Sequence, residues 1–394
     1  MNKLSDKIIS WLPEEEIEAA AVQQIKNISE MPFIFKHIAV MPDCHLGKGA
    51  TVGSVIATQG AIIPAAVGVD IGCGMIAVKT IFKKKDLESQ DLDKLREGIE
   101  RRIPLGVGKF NKELQPSAKE KADALTGGAI AGQYTEIDPN WMLNLGSLGS
   151  GNHFIELSLD ESDNVWIIIH SGSRGIGNKL AVRNIKIAQQ IMSDNFITLK
   201  DPDLAYIPET HIAFNEYFDD LDWSQKFAML NRDEMMDRVL KELSYFFFGK
   251  DGHQNEIEKE RINCHHNFTQ KEHHMGEDVW VTRKGAIEMK TGQMGIIPGS
   301  MGTSSYIVEG LACVPAYNSA PHGAGRRFSR TEARKQFTLD DMDRAMIGIS
   351  HNRNKAFLDE LPGAYKDIDH IMENSKDLVK IIHTLHQIIN IKGN

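Results

Sequence analysis

The apolar positions fall into two rhythms. In residues 13–29, Ile17, Ala21, Ile25 and Ile28 recur at helical spacing, Pro13 suits a first turn, and Glu14, Glu15 and Glu16 suit the positive end of a helix dipole, so a helix is predicted there. Residues 224–248 repeat the pattern, with Met236, Leu240, Leu243 and Phe247 on one stripe. Residues 375–389 carry Leu378, Ile381, Ile382, Leu385 and Ile389 and are read as a last helix facing the core. Other stretches read as strands. HIAVMPD (37–43) predicts a buried strand ending in a turn, and VWIIIH (165–170) a strand running into the glycine-rich turn SGSRGIG. DVWVTRKGA (278–286) predicts a strand and turn, and residues 51–82, rich in Val, Ile, Ala and Gly, predict several short core strands.

Helices and strands alternate without a regular βαβ repeat. No GxGxxG opens a helix after a strand, and no GxxxxGK[ST] occurs, so Rossmann and Walker-type nucleotide sites are disfavoured. The fold class expected is α+β, central β-sheets wrapped by helices. No Pro/Ser-rich linker or internal repeat divides the chain, and 1–394 is read as a single catalytic unit.

Composition trims the alternatives. A net charge of −9 argues against non-specific nucleic-acid binding over the whole surface, though not against a local basic groove such as Arg283 with Lys284, or Arg326, Arg327 and Arg330. The four cysteines, Cys44, Cys73, Cys264 and Cys313, form no CxxC pair, which argues against a zinc ribbon or a disulfide framework. With no apolar run of membrane-spanning length and no leader-like start, no membrane association and a cytoplasmic location are expected.

The informative chemistry is a set of metal-type side chains beside glycines at strand ends. These are Asp70 and Cys73 in VGVDIGCGM, Asn152 and His153 in GSGNHFIE, His170 at the end of VWIIIH, and His265, His266 and Asn267 in NCHHN. Strand ends hold Lewis bases rigidly, and glycines let the backbone come close. Each residue alone has a plainer reading: a hydrogen-bonded structural His, a small core Cys, a turn-forming Asp. Cys and His favour zinc-like ions and Asp admits harder ones such as Mn²⁺. The set suits a two-ion phosphoryl-transfer site or a single-ion hydrolase equally well. The second feature is PHGAGRRFSR, where His322 precedes Arg326 and Arg330. On a helix those arginines, four apart, share a face suited to phosphate, and an imidazole beside them can attack phosphorus. The PGSMG turn (298–302) offers backbone N–H groups to an anion.

MPDCHLGKGATVGSV, AAVGVDIGCGM, LGSGNHFIE, HSGSRGIG, HHN, VTRKGA, PGSMGT, HGAGRRFSR, AYKDID and the terminal IKG occur in this order. On these motifs the chain resembles the RNA-splicing ligase RtcB family along nearly its whole length, in the shorter bacterial form. The resemblance implies an enzyme that joins RNA 3′-phosphate or 2′,3′-cyclic phosphate ends to 5′-OH ends, using GTP and two Mn²⁺ ions, in RNA repair or tRNA splicing. His322 would be the guanylylated nucleophile. Asp70, Cys73, His153, His170 and His266 would hold the metals; His266 is preferred to His265 because the family motif places the ligand directly before Asn. Asn152 and Asn267 would bind phosphate or orient the site. Phe154, Glu156, Ser300, Tyr365 and Lys392 would form the guanine pocket, with Glu156 accepting from the N1–H and N2–H₂ edge. Arg174, Arg326 and Arg330 would hold RNA or GTP phosphates, with Arg326 also counted among the catalytic residues, and Asp43 would orient the 5′-OH or a metal ligand. The need for an activating protein partner is left open. Two positions depart from the pattern: Cys44 stands where an aliphatic residue is expected and is read as packing, and the approach to His322 reads YNSAPHGAGR. The competing readings are a metal-dependent phosphoesterase or GMP-capping enzyme acting on nucleic-acid 3′-phosphate ends, and a non-catalytic RNA-binding module.

Overall fold

The computed structural model describes residues 1–126 and 131–394. Two large sheets lie face to face. The first runs in the order Asn2–Ser5, Ile8–Ser10, Ile34–His45, Val52–Thr58, Glu277–Lys284, Asn267–His274. The second runs Glu258–His265, Gly74–Lys83, Asn164–Ser171, Phe154–Leu159, Val379–Lys392, Ser305–Gly310, Met294–Ile297, with Ser350–His351 beside the long fifth strand.

Period-two alternation sorts the side chains into layers. Val55, Ala57, Val279 and Val281 of the first sheet meet Met75, Ala77, Trp166 and Ile168 of the second in one apolar cluster. Their neighbours point the other way. Ile38, Val40 and Ile56 pack under Ala21, Ile25 and Ile28 of the helix Ala19–Ser29. Ile76, Val78, Ile167 and Ile169 pack under Met235, Met236, Val239 and Leu240 of the long helix Ala213–Phe248. The result is a four-layered α/β/β/α arrangement, the α+β class expected. Each fully covered Ile or Leu contributes about 1.5–3 kcal/mol of burial, so the layering follows from the alternation.

Several boundaries move. The first helix is a 3₁₀ turn at Glu14–Glu16 followed by Ala19–Ser29, because Ile17 and Glu18 adopt extended dihedrals. The helix predicted over 224–248 begins eleven residues earlier, at Ala213. The strand through MPD does not turn there but continues to His45. The segment 375–389 is a correction: Val379–Lys392 is a strand, antiparallel to both Phe154–Leu159 and Ser305–Gly310. It is dense in β-branched residues, which fit a central strand better than a helix. Its strict alternation is interrupted by register shifts between Ile307 and Val308 of its partner and between Gln387 and Ile389 of its own chain, so helical spacing shows through by coincidence. The consequence is functional, since this strand carries Lys392 into the middle of the sheet opposite Phe154. Among the described residues no helix is long and apolar enough to cross a membrane.

Candidate active site

The predicted ligands come from separate strand ends and meet in one place. Cys73 lies in the loop before Gly74–Lys83, His153 immediately before Phe154–Leu159, His170 near the end of Asn164–Ser171, and His266 between two strands. Cys73 Sγ is 3.4 Å from His153 Nε2 and 3.3 Å from His170 Nε2. His170 Nε2 is 3.3 Å from His266 Nε2, and Asp70 Oδ2 is 3.0 Å from His153 Nε2. Cys73, His153 and His170 form a buried group able to hold a metal ion.

The orientation of the rings supports that fit. His153 Nδ1 lies 2.9 Å from the Leu148 carbonyl and His170 Nδ1 3.1 Å from the Asn152 carbonyl. A carbonyl only accepts, so both Nδ1 atoms carry the proton and both Nε2 lone pairs point inward. Burial, reinforced by His153 for His170 and by His322 for His266, lowers both residues well below the usual imidazole range and keeps them neutral. Inward lone pairs facing one another with a sulfur between them are the donor set a soft or borderline cation satisfies. Burial pushes the Asp70 carboxyl up, but its polar surroundings, the His153 ring first among them, outweigh it and hold it below the ordinary carboxylate range. Gly172 makes room for that carboxylate, since a Cβ there would lie 2.2 Å from Asp70 Oδ1.

His322 lies on the opposite wall, its ring 4.8 Å from that of His266. Its Nδ1 is 2.6 Å from Asp43 Oδ2, and its backbone N–H donates to the same oxygen at 3.1 Å. Asp43 is fully buried. The carboxylate therefore holds the Nδ1 proton and leaves Nε2 free to act as a nucleophile. Asp43 was expected to serve the 5′-OH or a metal ligand; its contact is with the histidine. The cavity between the two walls has a volume of about 330 Å³.

The predicted nucleotide residues line the same cavity: Asn152, Phe154, Glu156, Asn267, Ser300, Tyr365 and Lys392 all contribute to its wall. Glu156 Oε1 accepts from Ser158 and Ser305 at 3.1 and 2.9 Å. Burial pushes its carboxyl up to about 7, against the pull of those two hydroxyls and of Lys392. Asn267 is occupied structurally, donating to the Asp70 carbonyl and accepting from the Gly285 N–H.

The three arginines separate. Arg326 is not on a helix; it forms a bridge with Tyr365, and only Arg330 begins a helix, Arg330–Gln336. Arg326 spends its donors on the Phe328 and Asp359 carbonyls, Glu360 and the Tyr365 hydroxyl, and its guanidinium stacks 4.9 Å from the Tyr365 ring. Arg330 commits only one nitrogen, Nη1, to Asp359 and Glu360, so its remaining N–H groups are the freer ones for a phosphate. Arg174 stands behind Asp70 and Cys73, outside the cavity wall, bonded to Ser147 and packed on Gly149, where any Cβ would strike its guanidinium. Cys44 is 1% exposed within the apolar cluster under Ala19–Ser29, which agrees with packing.

Three further residues were given no individual role at the site by the sequence, Lys284 having been named only within a possible basic groove. Lys284 lines the cavity, its ammonium bonded to the Lys48 and Ala65 carbonyls and lowered to about 8 chiefly by burial. Its neighbour Arg283 is fully buried against Glu272 and is structural; the pair looked alike as a basic dipeptide. Arg232, on the long helix, is fully buried and donates to the Gly72 and Ser171 carbonyls and to Asn263. Those acceptors sit beside Cys73, beside His170, and on the strand leading to His266, so one guanidinium ties three ligand-bearing segments together. Glu360 is 4% exposed and joins Arg326, Arg330, Tyr365 and Lys392.

A buried Cys/His cluster able to hold a metal ion, at converging strand ends and faced by an oriented histidine in a mixed α+β fold, has the make-up of a metal-binding enzyme site. Comparison with known proteins gives the particular family. A family model described as tRNA-splicing ligase RtcB matches residues 24–393. The chain is 47% identical to the RNA-splicing ligase RtcB of Escherichia coli K12, over 97% of this chain and 96% of that one. It is 29% identical to the tRNA-splicing ligase RtcB of Methanococcus maripaludis, over 92% and 89%. It is 27% identical to the RNA-splicing ligase RtcB of Mycobacterium tuberculosis, over 89% and 95%. The chain belongs to the RtcB family and is a ligase.

Proposed function

We propose that the protein joins an RNA 3′-phosphate or 2′,3′-cyclic phosphate end to a 5′-OH end, with GTP as the activating nucleotide. His322 Nε2 attacks the α-phosphorus of GTP; the N–P bond forms, the bond to the β-phosphate oxygen breaks, and pyrophosphate leaves. An oxygen of the RNA 3′-phosphate then takes the guanylyl group from His322, giving an RNA-3′-pp-5′-G end. The 5′-OH attacks the RNA-side phosphorus, a phosphodiester forms, and GMP departs. A cyclic end is first opened by water attacking its phosphorus, which breaks the bond to the 2′ oxygen, leaves a 2′-OH and gives the 3′-phosphate. The observation that carries this reading is the Asp43–His322 pair set 4.8 Å, ring to ring, from His266 of the Cys/His cluster.

Two Mn²⁺ ions held by Asp70, Cys73, His153, His170 and His266 would supply Lewis-acid stabilisation of the phosphate oxygens. Asp43 keeps the His322 proton on Nδ1 throughout. Glu156, ionised, accepts from the guanine N1–H and N2–H₂, an edge adenine does not present. Arg330, with N–H groups beyond Nη1 to offer, binds a phosphate, and Arg326 and Tyr365 shape the wall beside it.

Incubation with α-labelled GTP and Mn²⁺ tests the reading. Protein-bound label stable to alkali, lost to acid and absent in His322→Ala is expected, followed by ligation of a cyclic-phosphate RNA to a 5′-OH RNA. Release of phosphate from RNA ends with no label on the protein would instead mark a phosphoesterase.

A further inference from the structure

We propose that Glu360 sets the enzyme's preference for guanine by fixing the Lys392 ammonium beside Glu156, an inference that rests on the guanine-pocket reading above. Glu360 lies in a stretch that offered no motif, yet it touches four residues assigned to nucleotide or RNA. Its Oε1 is 2.5 Å from Arg330 Nη1 and 3.3 Å from Arg326 Nη1. Its Oε2 accepts from the Tyr365 hydroxyl at 2.8 Å and from Lys392 Nζ at 3.1 Å. Its backbone carbonyl takes the Met301 N–H of the PGSMG turn at 3.3 Å. Its carboxyl lines the cavity.

Lys392 is the informative partner. It is buried, it lies 5.8 Å above the Phe154 ring, and Glu360 is its hydrogen-bond acceptor among the described residues. An ammonium has three donors, so two remain. The strand pairing puts Lys392 opposite Phe154 and Asn390 opposite Glu156, so the cation and the carboxylate share one end of the cavity. A carboxylate there suits the N1–H and N2–H₂ donors of guanine, and a cation beside it suits the adjacent O6 acceptor. Adenine carries an amino group at that position and would meet donor with donor. An untethered lysine has rotamer freedom to lose on binding. Glu360 removes that freedom in advance, with Arg326 and Arg330 balancing its charge. The burial of Glu360 opposes ionisation, but Lys392, Arg330 and Arg326 outweigh it, so the tether is an anion.

The test compares GTP with 6-thioguanosine triphosphate, which keeps N1–H and N2–H₂ but replaces O6 by a weakly accepting sulfur, in the histidine-labelling reaction of the wild type and of Glu360→Gln. The expected result is a GTP KM raised roughly tenfold, the worth of one charge-assisted hydrogen bond, with kcat and Mn²⁺ affinity unchanged. The KM of the analogue should stay within about twofold, so that selectivity falls roughly tenfold. Equal weakening of both nucleotides would overturn the inference and leave Glu360 a structural anchor; tighter GTP binding would overturn it by making Glu360 a competing anion. Glu360→Asp keeps the charge but shortens the reach. The same selective loss is expected there, and unaltered selectivity would again overturn the inference. Absence of guanine preference in the wild type would sink the guanine-pocket reading itself.

Discussion

The two halves of the cavity are built on different principles. On the side proposed to hold the metals, the side chains sit at strand ends and are oriented by neutral backbone carbonyls: Leu148 and Asn152 fix two imidazoles, and Gly172 lets Asp70 approach. On the side proposed for the nucleotide, the groups are held by charge. Asp359 and Glu360, 1% and 4% exposed, anchor Arg326, Arg330, Arg334 and Lys392. Carbonyl anchoring leaves the donors of a site uncommitted and unbalanced until a cation arrives. Charge anchoring fixes the side chains of a site before its ligand binds, here two buried carboxylates holding four cationic groups. The metal side should therefore fail abruptly when a donor is lost, and the nucleotide side should fail by degrees.

The largest effect separating the two halves is expected at Cys73. Cys73→Ala removes the sulfur lying between His153 and His170, and it should abolish histidine labelling, with Mn²⁺ binding by calorimetry weakened by at least about 100-fold. Near-normal labelling would refute the metal assignment. Next comes the junction of the halves. Asp43→Asn leaves a near-isosteric partner but releases the hold on the Nδ1 proton, and labelling should slow about 10³-fold with little change in melting temperature. Arg232→Met should weaken Mn²⁺ binding by about 10–100-fold while GTP selectivity is kept, because it loosens three ligand segments without touching the guanine side.

The smallest effect is the pH response of the nucleotide side. In the proposed function Glu156 accepts from guanine only when ionised, and its carboxyl is raised to about 7 by burial. Below that value it is protonated and meets the N1–H as a donor. GTP affinity should therefore rise with pH through about 7 and level off above it. At pH 6 roughly a tenth of the carboxyl is ionised, so the KM for GTP should be about tenfold higher than at pH 8. Glu156→Gln should flatten that dependence.

The same contrast explains what could be read from the chain. The residues proposed as metal ligands drew notice because Asp70, Cys73, His153 and His170 fall in short glycine-bearing motifs near strand ends; selecting the full set, with His266 from the glycine-free NCHHN, rested on the family resemblance. Buried strands were legible as apolar runs, as 37–43 and 165–170 illustrate, but the two faces that Ile38 and Val40, or Val55 and Val281, present emerged only in the structure. The charge-held half was not legible. Glu360 in sequence looks like any surface acid, and only the convergence of Arg326, Arg330, Tyr365 and Lys392 around it reveals an interior anion. Arg232 was hidden in a helix whose stripe of Met and Leu explains itself by packing. The strand Val379–Lys392 was misread because bulges blur its period of two and its apolar residues also fit a helical stripe. Asp43 was read as a turn residue, although its strand continues and its partner lies 279 positions away.

The central claim is that His322 faces a cluster of cations held by Asp70, Cys73, His153, His170 and His266. Manganese anomalous scattering from crystals soaked in Mn²⁺ tests it most directly. The account predicts density bounded by Cys73 Sγ and the Nε2 atoms of the three histidines, on the side of the cavity that His322 Nε2 addresses. Density confined to the other metal-capable group among the described residues, Asp160 with Glu161 and His383, would contradict it.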